Sequence, residues 1–271
     1  MKTRSPETAS TGSPAPGLVS TPRDAALPRL YRDLSTWYRL LTPREDYADE
    51  AAVLRALFEQ AAHRPLRTLL ELGCGAGHNA SYLTDHYTCT LVDLSPDMLG
   101  LSRAINPGAE HVLGDMRLVR LARAFDSVLV HDAVSYMATE PDLCAAIETA
   151  FVHCAPGGVA LFLPDSICET FEPGTDTGGV DRDGRGLRYL EWRRDPDPAD
   201  TTYTVDMAIM TRDRDGSVQV SHDRHLLGLF PRETWLRLLT QAGFSARAVK
   251  PPDGPPDFGS AEIFLGLRPV T

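Results

Sequence analysis

The feature of this chain that most constrains its fold is the glycine-rich segment Glu71-Leu72-Gly73-Cys74-Gly75-Ala76-Gly77. An apolar run at 67–72 leads into the glycines and predicts a buried strand, whereas residues 79–86 have the spacing of a helix. Glycines at such a junction let the backbone turn tightly and approach a ligand without interference from a Cβ atom. The segment therefore predicts a ligand-binding turn between a strand and the helix that follows it.

The alternation of strand-like and helix-like patterns continues beyond the glycines. Ser95 followed by Pro96 is typical of a helix start, with the serine as N-cap. Strands alternating with helices at this spacing favour a parallel sheet covered by helices on both faces. Further strands are predicted at 88–92, 111–113, 125–130 and 159–163, a helix at 141–154, and two entry helices at 27–41 and 47–63.

The alternation stops after Pro164. Three longer β segments follow at 187–193, 202–212 and 218–229, separated by turn-rich residues. We interpret them as an antiparallel β insertion, because a helix at 231–241 and strands at 244–249 and 261–267 then resume the earlier pattern. The predicted organisation is a disordered tail (1–23), entry helices with the ligand-binding half (24–164), the insertion (165–229), and a last helix with two closing strands (230–271).

Composition narrows the classes of partner. The formal net charge of −10 sets up a field that repels nucleic acid and anionic membrane surfaces, so we expect neither as a partner. No apolar stretch approaches the ~20 residues that cross a bilayer, and we expect a cytoplasmic protein. The five cysteines are scattered without a C-x-x-C spacing, so neither a disulfide framework nor a metal site is predicted.

The ligand class depends on residues downstream of the glycines. Taken alone, Gly75-x-Gly77-x-x-Ala80 also fits a dinucleotide fingerprint. Asp93, at the end of the second strand, can accept hydrogen bonds from both hydroxyls of a ribose and fits either ligand. Asp115 and Met116, at the end of the third strand, suit an adenine amino group and ring, which favours an adenosyl group, although Asp115 can also serve as a helix N-cap.

With these residues in place, the chain resembles the class I S-adenosylmethionine-dependent methyltransferases. The glycine segment, Asp93, Gly114-Asp115 and Pro156-Gly157-Gly158 match the motifs of that family in order and spacing, and the resemblance covers residues 31–267. It implies a seven-stranded sheet whose last strand is antiparallel, S-adenosylmethionine as methyl donor and S-adenosylhomocysteine as product. Tyr31-x-x-Leu34-x-x-Trp37-Tyr38 and the β insertion resemble the small-molecule branch that contains glycine and amino-sugar N-methyltransferases.

The resemblance also implies roles for individual residues in cofactor binding. The three glycines approach the methionine part of the cofactor, Asp93 holds the ribose, and Asp115 with Met116 holds the adenine. Tyr31 and Tyr38 lie in the entry helices that close over the cofactor, with core packing as the alternative role. The full set expected to bind the cofactor is Tyr31, Tyr38, Glu71, Gly73, Gly75, Gly77, Asp93, Leu94, Asp115, Met116 and His131.

The acceptor side is expected to involve the end of the fourth strand and the insertion. His131 is the candidate catalytic residue, acting either as a general base or as a group that shapes the pocket. His222 and Arg224 face one side of a strand and His225 the other; together with Tyr136 and Tyr203, we assign His222 and Arg224 to substrate binding, with exposed or interface positions as the alternative.

Together these patterns predict a methyltransferase that N- or O-methylates an amine or another small natural product. The insertion is expected to act as a substrate lid or as the contact surface of a homodimer. Two alternatives are a cofactor-binding protein without transferase activity and, less favoured, a nicotinamide-dependent oxidoreductase. Asp115 speaks against the oxidoreductase, as does the lack of a Tyr-x-x-x-Lys motif.

Overall fold

The computed structural model of the protein describes residues 27–250 and 262–270. The predicted disordered tail, 1–23, lies outside the described residues. The described helices are α1 (Tyr38–Leu41), α2 (Ala48–Ala61), α3 (Ala80–Leu83), α4 (Pro96–Ile105), α5 (Glu140–His153) and α6 (Arg232–Ala242). The described strands are β1 (Thr68–Leu72), β2 (Thr88–Asp93), β3 (Glu110–Leu113), β4 (Phe125–Val130), β5 (Cys154–Phe162), β6 (Gly174–Arg182), β7 (Arg185–Arg194), β8 (Thr202–Arg212), β9 (Val218–Gly228), β10 (Ser245–Val249) and β11 (Ile263–Leu267).

Within the described residues, seven strands form one sheet in the order β10-β11-β5-β4-β1-β2-β3. β1 pairs in parallel with β2 and with β4, while β11 is antiparallel to β5 and to β10. The predicted α/β sheet with an antiparallel last strand is therefore confirmed. Parallel order brings the carboxyl ends of β1, β2, β3 and β4 to one edge, where ligands of open α/β sheets bind.

Helices cover both faces of this sheet, as the sequence predicted. Alternating strand residues point to opposite faces: Leu70 lies in the cluster formed with α5 and α6, whereas Leu69 lies in the cluster formed with α2, α3 and α4. Pro96 begins α4 and the Ser95 side chain accepts a hydrogen bond from the Met98 amide, which confirms the predicted cap. None of the helices in the described ranges is long and apolar enough to cross a membrane.

The β insertion forms a second sheet, but it has four strands where the sequence predicted three. The order is β6-β7-β8-β9, and every neighbouring pair is antiparallel. The additional strand, β6, is rich in glycine and charge and shows no apolar alternation. The sequence feature that indicates β6 is the turn that joins it to β7. Asp183 and Gly184 both have positive φ between the paired residues Arg182 and Arg185, as in a two-residue hairpin turn.

The first predicted entry helix is also corrected. Instead of one helix over 27–41, the chain makes two 3-10 turns, Arg29–Tyr31 and Ser35–Trp37, followed by the single turn α1. The backbone amides of Arg29 and Leu30 donate to the carboxylate of Asp223 on β9, which fixes the start of this segment to the insertion sheet. Leu30 and Leu34 pack instead against the inner face of the insertion sheet.

Candidate active site

The glycine segment turns sharply after β1. Gly73, Gly75 and Gly77 have φ angles of +78°, +54° and +73°, a region that glycine adopts without strain. A Cβ on Gly77 would lie 2.2 Å from Ser102 Oγ, and one on Gly73 would lie 2.3 Å from the Cβ of Ala133. A Cβ on Gly75 would meet only Met98 Cε, at 3.8 Å. Two of the glycines are thus needed for close packing, and the third leaves open backbone.

Asp93, at the end of β2, is tied to this turn. Its Oδ2 accepts a hydrogen bond from the Gly75 amide at 2.7 Å, and its Oδ1 accepts one from the Ser95 amide at 2.8 Å. Burial raises the pKa of the Asp93 carboxyl, against the effect of the backbone donors. A carboxylate has about four lone-pair sites, so acceptor capacity remains for a ligand. The adjacent side chain, Leu94, is 48% exposed and forms an apolar surface beside it.

Asp115 already has a partner within the chain. Arg117 Nη2 lies 2.6 Å from Asp115 Oδ2 and Arg117 Nη1 lies 2.7 Å from Asp142 Oδ1. Burial acts to raise the pKa of Asp115, but the bonds from Arg117 outweigh it and lower that pKa. The side chain of Met116 packs beside the glycine turn: a Cβ added to Gly73 would lie 2.7 Å from Met116 Cε. The sequence argument did not foresee Arg117, although it lies only two residues away.

Glu71, the first residue of the motif, is a buried acid with spare bonding capacity. The residue is 3% exposed, and its Oε2 has no hydrogen-bond partner among the described residues. Burial raises the pKa of Glu71 to about 8. A buried carboxyl oxygen without a partner is costly unless a ligand or water satisfies it, so this atom is suited to a polar group bound at the turn.

A cavity of about 470 Å³ lies between the carboxyl ends of β4 and β5 and the inner face of the insertion. Its wall combines aromatic, apolar and charged side chains. Among the predicted residues, Tyr31, His131, Tyr136 and Tyr203 line it. The charged groups on its wall include Glu50, Asp132, Asp165, Glu191 and Arg193.

His131 is held between two carboxylates. Its Nε2 lies 3.0 Å from Glu50 Oε1, and its Nδ1 lies 3.1 Å from Asp132 Oδ1. Burial alone would lower the pKa of His131, but the charges of Asp132 and Glu50 outweigh it and raise that pKa well above its usual range. Both ring nitrogens therefore have carboxylate acceptors within the chain, an arrangement that favours the doubly protonated ring.

Asp165 lines the cavity but was not among the site residues predicted from the sequence. It faces the same cavity as Asp132, and its amide donates to Ser135 Oγ at 2.9 Å. Burial and the neighbouring Asp132 charge raise the pKa of Asp165 well above its usual range. Its signal was position, because Asp165 follows Pro164 directly after a central parallel strand, where ligand-contacting residues gather.

Tyr31 and Tyr136 belong to a chain of polar contacts on the cavity wall. The two hydroxyl oxygens are 2.9 Å apart, and Tyr136 Oη lies 2.5 Å from Nδ1 of His225. His225 Nε2 in turn lies 3.4 Å from Asp223 Oδ2. Tyr38 stands beside this group, with its ring centroid 6.2 Å from that of Tyr31.

The structure divides the predicted insertion residues between two faces. Tyr203 is 2% exposed and lines the cavity. His222 and Arg224 lie on the outer face of β9, where each contacts Asp206 Oδ1, at 3.0 Å and 2.6 Å. Their side chains are 63% and 59% exposed, so the structure does not bring them to the cavity. The alternation along β9 was predicted, but it is His225 that faces inward.

Comparison with known proteins places this geometry in a family. A family model described as a methyltransferase domain matches residues 69–158, which include the glycine turn, Asp93 and Asp115. The chain is 31% identical, over 82% of its length and 85% of the relative, to a dTDP-3-amino-3,6-dideoxy-alpha-D-glucopyranose N,N-dimethyltransferase of Streptomyces fradiae. It is 30% identical, over 82% of its length and 92% of the relative, to a dTDP-3-amino-3,4,6-trideoxy-alpha-D-glucopyranose N,N-dimethyltransferase of Streptomyces venezuelae.

Solved structures agree with these relatives. The crystal structure of Streptomyces venezuelae DesVI aligns with a TM-score of 0.76 at 27% identity, over 87% of this chain and 96% of that one. The sugar N-methyltransferase KedS8 of a Streptoalloteichus species aligns with a TM-score of 0.77 at 25% identity, over 95% of this chain and 100% of that chain. The relatives are methyltransferases and not nicotinamide enzymes. The chain is an enzyme that belongs to the class I S-adenosylmethionine-dependent methyltransferases, in the branch that contains the amino-sugar N-methyltransferases.

Proposed function

We propose that this enzyme transfers methyl groups to the amine of a nucleotide-linked amino sugar, twice in succession. The observation that carries the proposal is the cavity beside β4 and β5, whose wall combines the Asp132 carboxylate and the carboxyl groups of Asp165 and Glu191 with tyrosine hydroxyls. Carboxylates favour a cationic amine over a neutral hydroxyl, because charge-assisted hydrogen bonds are the stronger ones. Two relatives act on dTDP-linked 3-amino sugars, which agrees with this choice.

The residues of the glycine turn fit the methyl donor. We propose that Gly73, Gly75 and Gly77 approach its methionine part and that the unpaired Oε2 of Glu71 faces the same part. Asp93 retains lone pairs for the ribose hydroxyls, and Leu94 offers an exposed apolar surface for the adenine, with Met116 as a second apolar contact. Asp115 would then bind the adenine amino group in exchange for one of the four hydrogen bonds that Arg117 donates to its two oxygens. Tyr38 would contact the methyl donor from the entry segment.

Within this proposal His131 is a positioning residue. An imidazolium whose two nitrogens already donate to carboxylates cannot accept a proton from an acceptor. It instead fixes Glu50 and Asp132 on the cavity wall. The donor carries an activated leaving group, so alignment of the acceptor with the methyl group is the main contribution of the protein.

The nucleotide part of the acceptor needs a cation. Arg193 lines the cavity next to Glu191, with its Nε 3.5 Å from Glu191 Oε1 and its side chain 45% exposed. A guanidinium can bind a diphosphate in a bidentate manner. We propose that Arg193 contacts the diphosphate while the sugar enters the cavity.

The experiment compares two acceptors that differ in one group. The enzyme is incubated with S-adenosylmethionine and either dTDP-3-amino-3,6-dideoxy-glucose or the matching dTDP sugar with a hydroxyl in place of the amine. Mass spectrometry should show one and then two added methyl groups on the amine and none on the hydroxyl sugar. Methylation of the hydroxyl sugar, or of neither, would refute the proposed acceptor.

We further propose that the outer face of the insertion sheet is the contact surface of a homodimer. Leu190, Trp192, Met210, Val220 and Leu226 are each 47–67% exposed on that face. Apolar side chains gathered on one surface favour association, and two-fold pairing of identical chains is the commonest arrangement. Light scattering should give the mass of two chains, and Trp192→Glu should give that of one.

A further inference from the structure

The cavity wall opposite His131 holds a chain of four polar side chains that alignment of the acceptor does not by itself require. Tyr31 comes from the entry segment, Tyr136 follows β4, and His225 and Asp223 lie on β9. They are far apart in sequence: the residue numbers of Tyr31 and Tyr136 differ by 105, and those of Tyr136 and His225 by 89. In the folded protein their polar atoms nevertheless form a continuous line of close contacts from the cavity to the buried carboxylate of Asp223.

The direction of the hydrogen bonds follows from the buried end. Asp223 is 4% exposed and accepts the amides of Arg29 and Leu30, so its carboxylate is held ionised. Asp223 Oδ2 lies 3.4 Å from His225 Nε2 without forming a hydrogen bond to it, and its negative charge favours a proton on that nitrogen. In the neutral ring Nδ1 is then an acceptor, and Tyr136, 2.5 Å away, donates to it.

The hydroxyl oxygens of Tyr31 and Tyr136 lie 2.9 Å apart, and either hydroxyl can donate across that contact. Since Tyr136 has a single proton and gives it to His225, the relay uses the orientation in which Tyr31 is the donor. Tyr31 and Tyr136 both line the cavity, so a lone pair of Tyr31 is available to a group bound there. The arrangement resembles a serine, histidine and aspartate triad in its order of roles, with tyrosine hydroxyls in place of the serine.

We propose that Tyr31 and Tyr136 carry the ammonium proton of the acceptor to His225. Asp223 is the positioning residue that fixes the His225 tautomer. The proposal rests on the proposed function, since only an acceptor that arrives as an ammonium needs to lose this proton before it reacts. Amines of this kind are largely protonated at neutral pH, as the pKa values of about 8 to 10 for α-amino and lysine groups indicate.

The proton transfer balances without a further reagent. An N–H bond of the acceptor breaks and its proton goes to Tyr31 Oη, the proton of Tyr31 goes to Tyr136 Oη, and the proton of Tyr136 goes to His225 Nδ1. Both tyrosines end neutral and His225 becomes an imidazolium beside Asp223. The nitrogen keeps its electron pair and forms the bond to the methyl carbon, while the carbon–sulfur bond of the donor breaks with its pair left on sulfur. Loss of the proton from His225 to water restores the relay.

Other charged or titratable groups that face the relay are few in the described residues. Glu191 on β7 shares the cavity wall with His225, and Asp165 faces Tyr136 from the end of β5. Both carboxyls lie on the acceptor side, and burial raises the pKa of each.

The kinetic test uses His225→Gln and Tyr136→Phe with dTDP-3-amino-3,6-dideoxy-glucose as acceptor. At neutral pH we expect kcat/KM to fall by about 10²-fold in each. The loss should shrink as pH rises, because the acceptor then arrives neutral and needs no relay, so the acid limb of the profile moves toward the pKa of the free amine. The double variant should lose no more than either single one, since both interrupt the same path. His86→Gln, on an exposed loop outside the cavity, is the matched control.

A loss that is the same at every pH would mean a structural role and would overturn the relay. Histidine ¹⁵N NMR on the free enzyme supplies a second readout that needs no acceptor. His225, assigned by its loss in His225→Gln, should show a bare Nδ1 and a protonated Nε2, and Tyr136→Phe should shift the Nδ1 signal. A protonated Nδ1 in the neutral ring would refute the relay. If the wild-type enzyme does not methylate the amino sugar, the proposed function fails, and the NMR result alone decides the relay.

Discussion

His131 Nε2 lies 3.0 Å from Glu50 Oε1, and this contact joins the end of β4 to α2 at the cavity wall. The pKa of His131 is raised in the folded protein, so the ion pair stabilises the fold fully below the unfolded-state pKa of about 6.5. That contribution is lost as pH rises through the higher folded-state pKa. Glu50→Gln should therefore reduce the unfolding free energy by about 1.5–3 kcal/mol near pH ~6, and by less at alkaline pH.

Urea unfolding at several pH values from about 6 to 9 measures this dependence. Glu59→Gln is the control on the same helix, because its pair with Arg55 is exposed and is expected to contribute less than about 0.5 kcal/mol. A difference between wild type and Glu50→Gln that grows with pH would contradict the ion pair.

Gly75 and Gly77 allow a matched comparison within the glycine turn. Alanine at either position costs about 1–2 kcal/mol because φ is positive. Gly77→Ala also places a Cβ 2.2 Å from Ser102 Oγ, whereas Gly75→Ala leaves 3.8 Å to Met98 Cε. We expect Gly77→Ala to lower the melting temperature far more. Gly75→Ala should keep most of the stability but weaken S-adenosylhomocysteine binding, as calorimetry would measure; equal melting temperatures would contradict the packing argument.

Asp93 is expected to contribute to cofactor affinity. Asp93→Ala removes the proposed charge-assisted bond to the ribose and the observed bond from the Gly75 amide, which should weaken S-adenosylhomocysteine binding by about 1.5–3 kcal/mol. Asp85→Ala, at an exposed position before β2, is the control. Thermal shifts with saturating S-adenosylhomocysteine give an independent measure, because a ligand that binds only the folded state stabilises it. Unchanged affinity in Asp93→Ala would remove this residue from the site.

What the sequence could predict here is largely local. The glycine turn and the Ser95 cap depend on residues a few positions apart, so their patterns can be recognised in the sequence. β6 was missed because Gly174–Arg182 lacks apolar alternation, even though the Asp183-Gly184 turn that pairs it with β7 was visible. The fold was therefore predicted from the sequence, but the edge strand β6 was not.

The candidate site was predictable only in part, because its contacts join distant segments. Nothing in the sequence indicates that Tyr136 meets His225, 89 positions away, or that His131 meets Glu50 on an entry helix. For β9, alternation separates His222 from His225 but does not say which one faces the cavity. That choice depends on how the whole insertion sheet packs against Leu30 and Leu34.

The insertion sheet should determine which acceptor is used, and two methionines on β8 test this. Met207 lines the cavity and is 6% exposed, whereas Met210 lies on the outer face and is 47% exposed. Met207→Ala removes apolar contact with the bound sugar and should raise the acceptor KM by about tenfold or more, in line with the worth of apolar groups in specificity pockets. Met210→Ala should leave it unchanged. S-adenosylhomocysteine affinity should stay within a few-fold in both variants, since the glycine turn and Asp93 lie on the main sheet. Steady-state kinetics with dTDP-3-amino-3,6-dideoxy-glucose, run well below the melting temperature of each variant, measures the effect; equal KM values for the two variants would place acceptor selection outside the insertion.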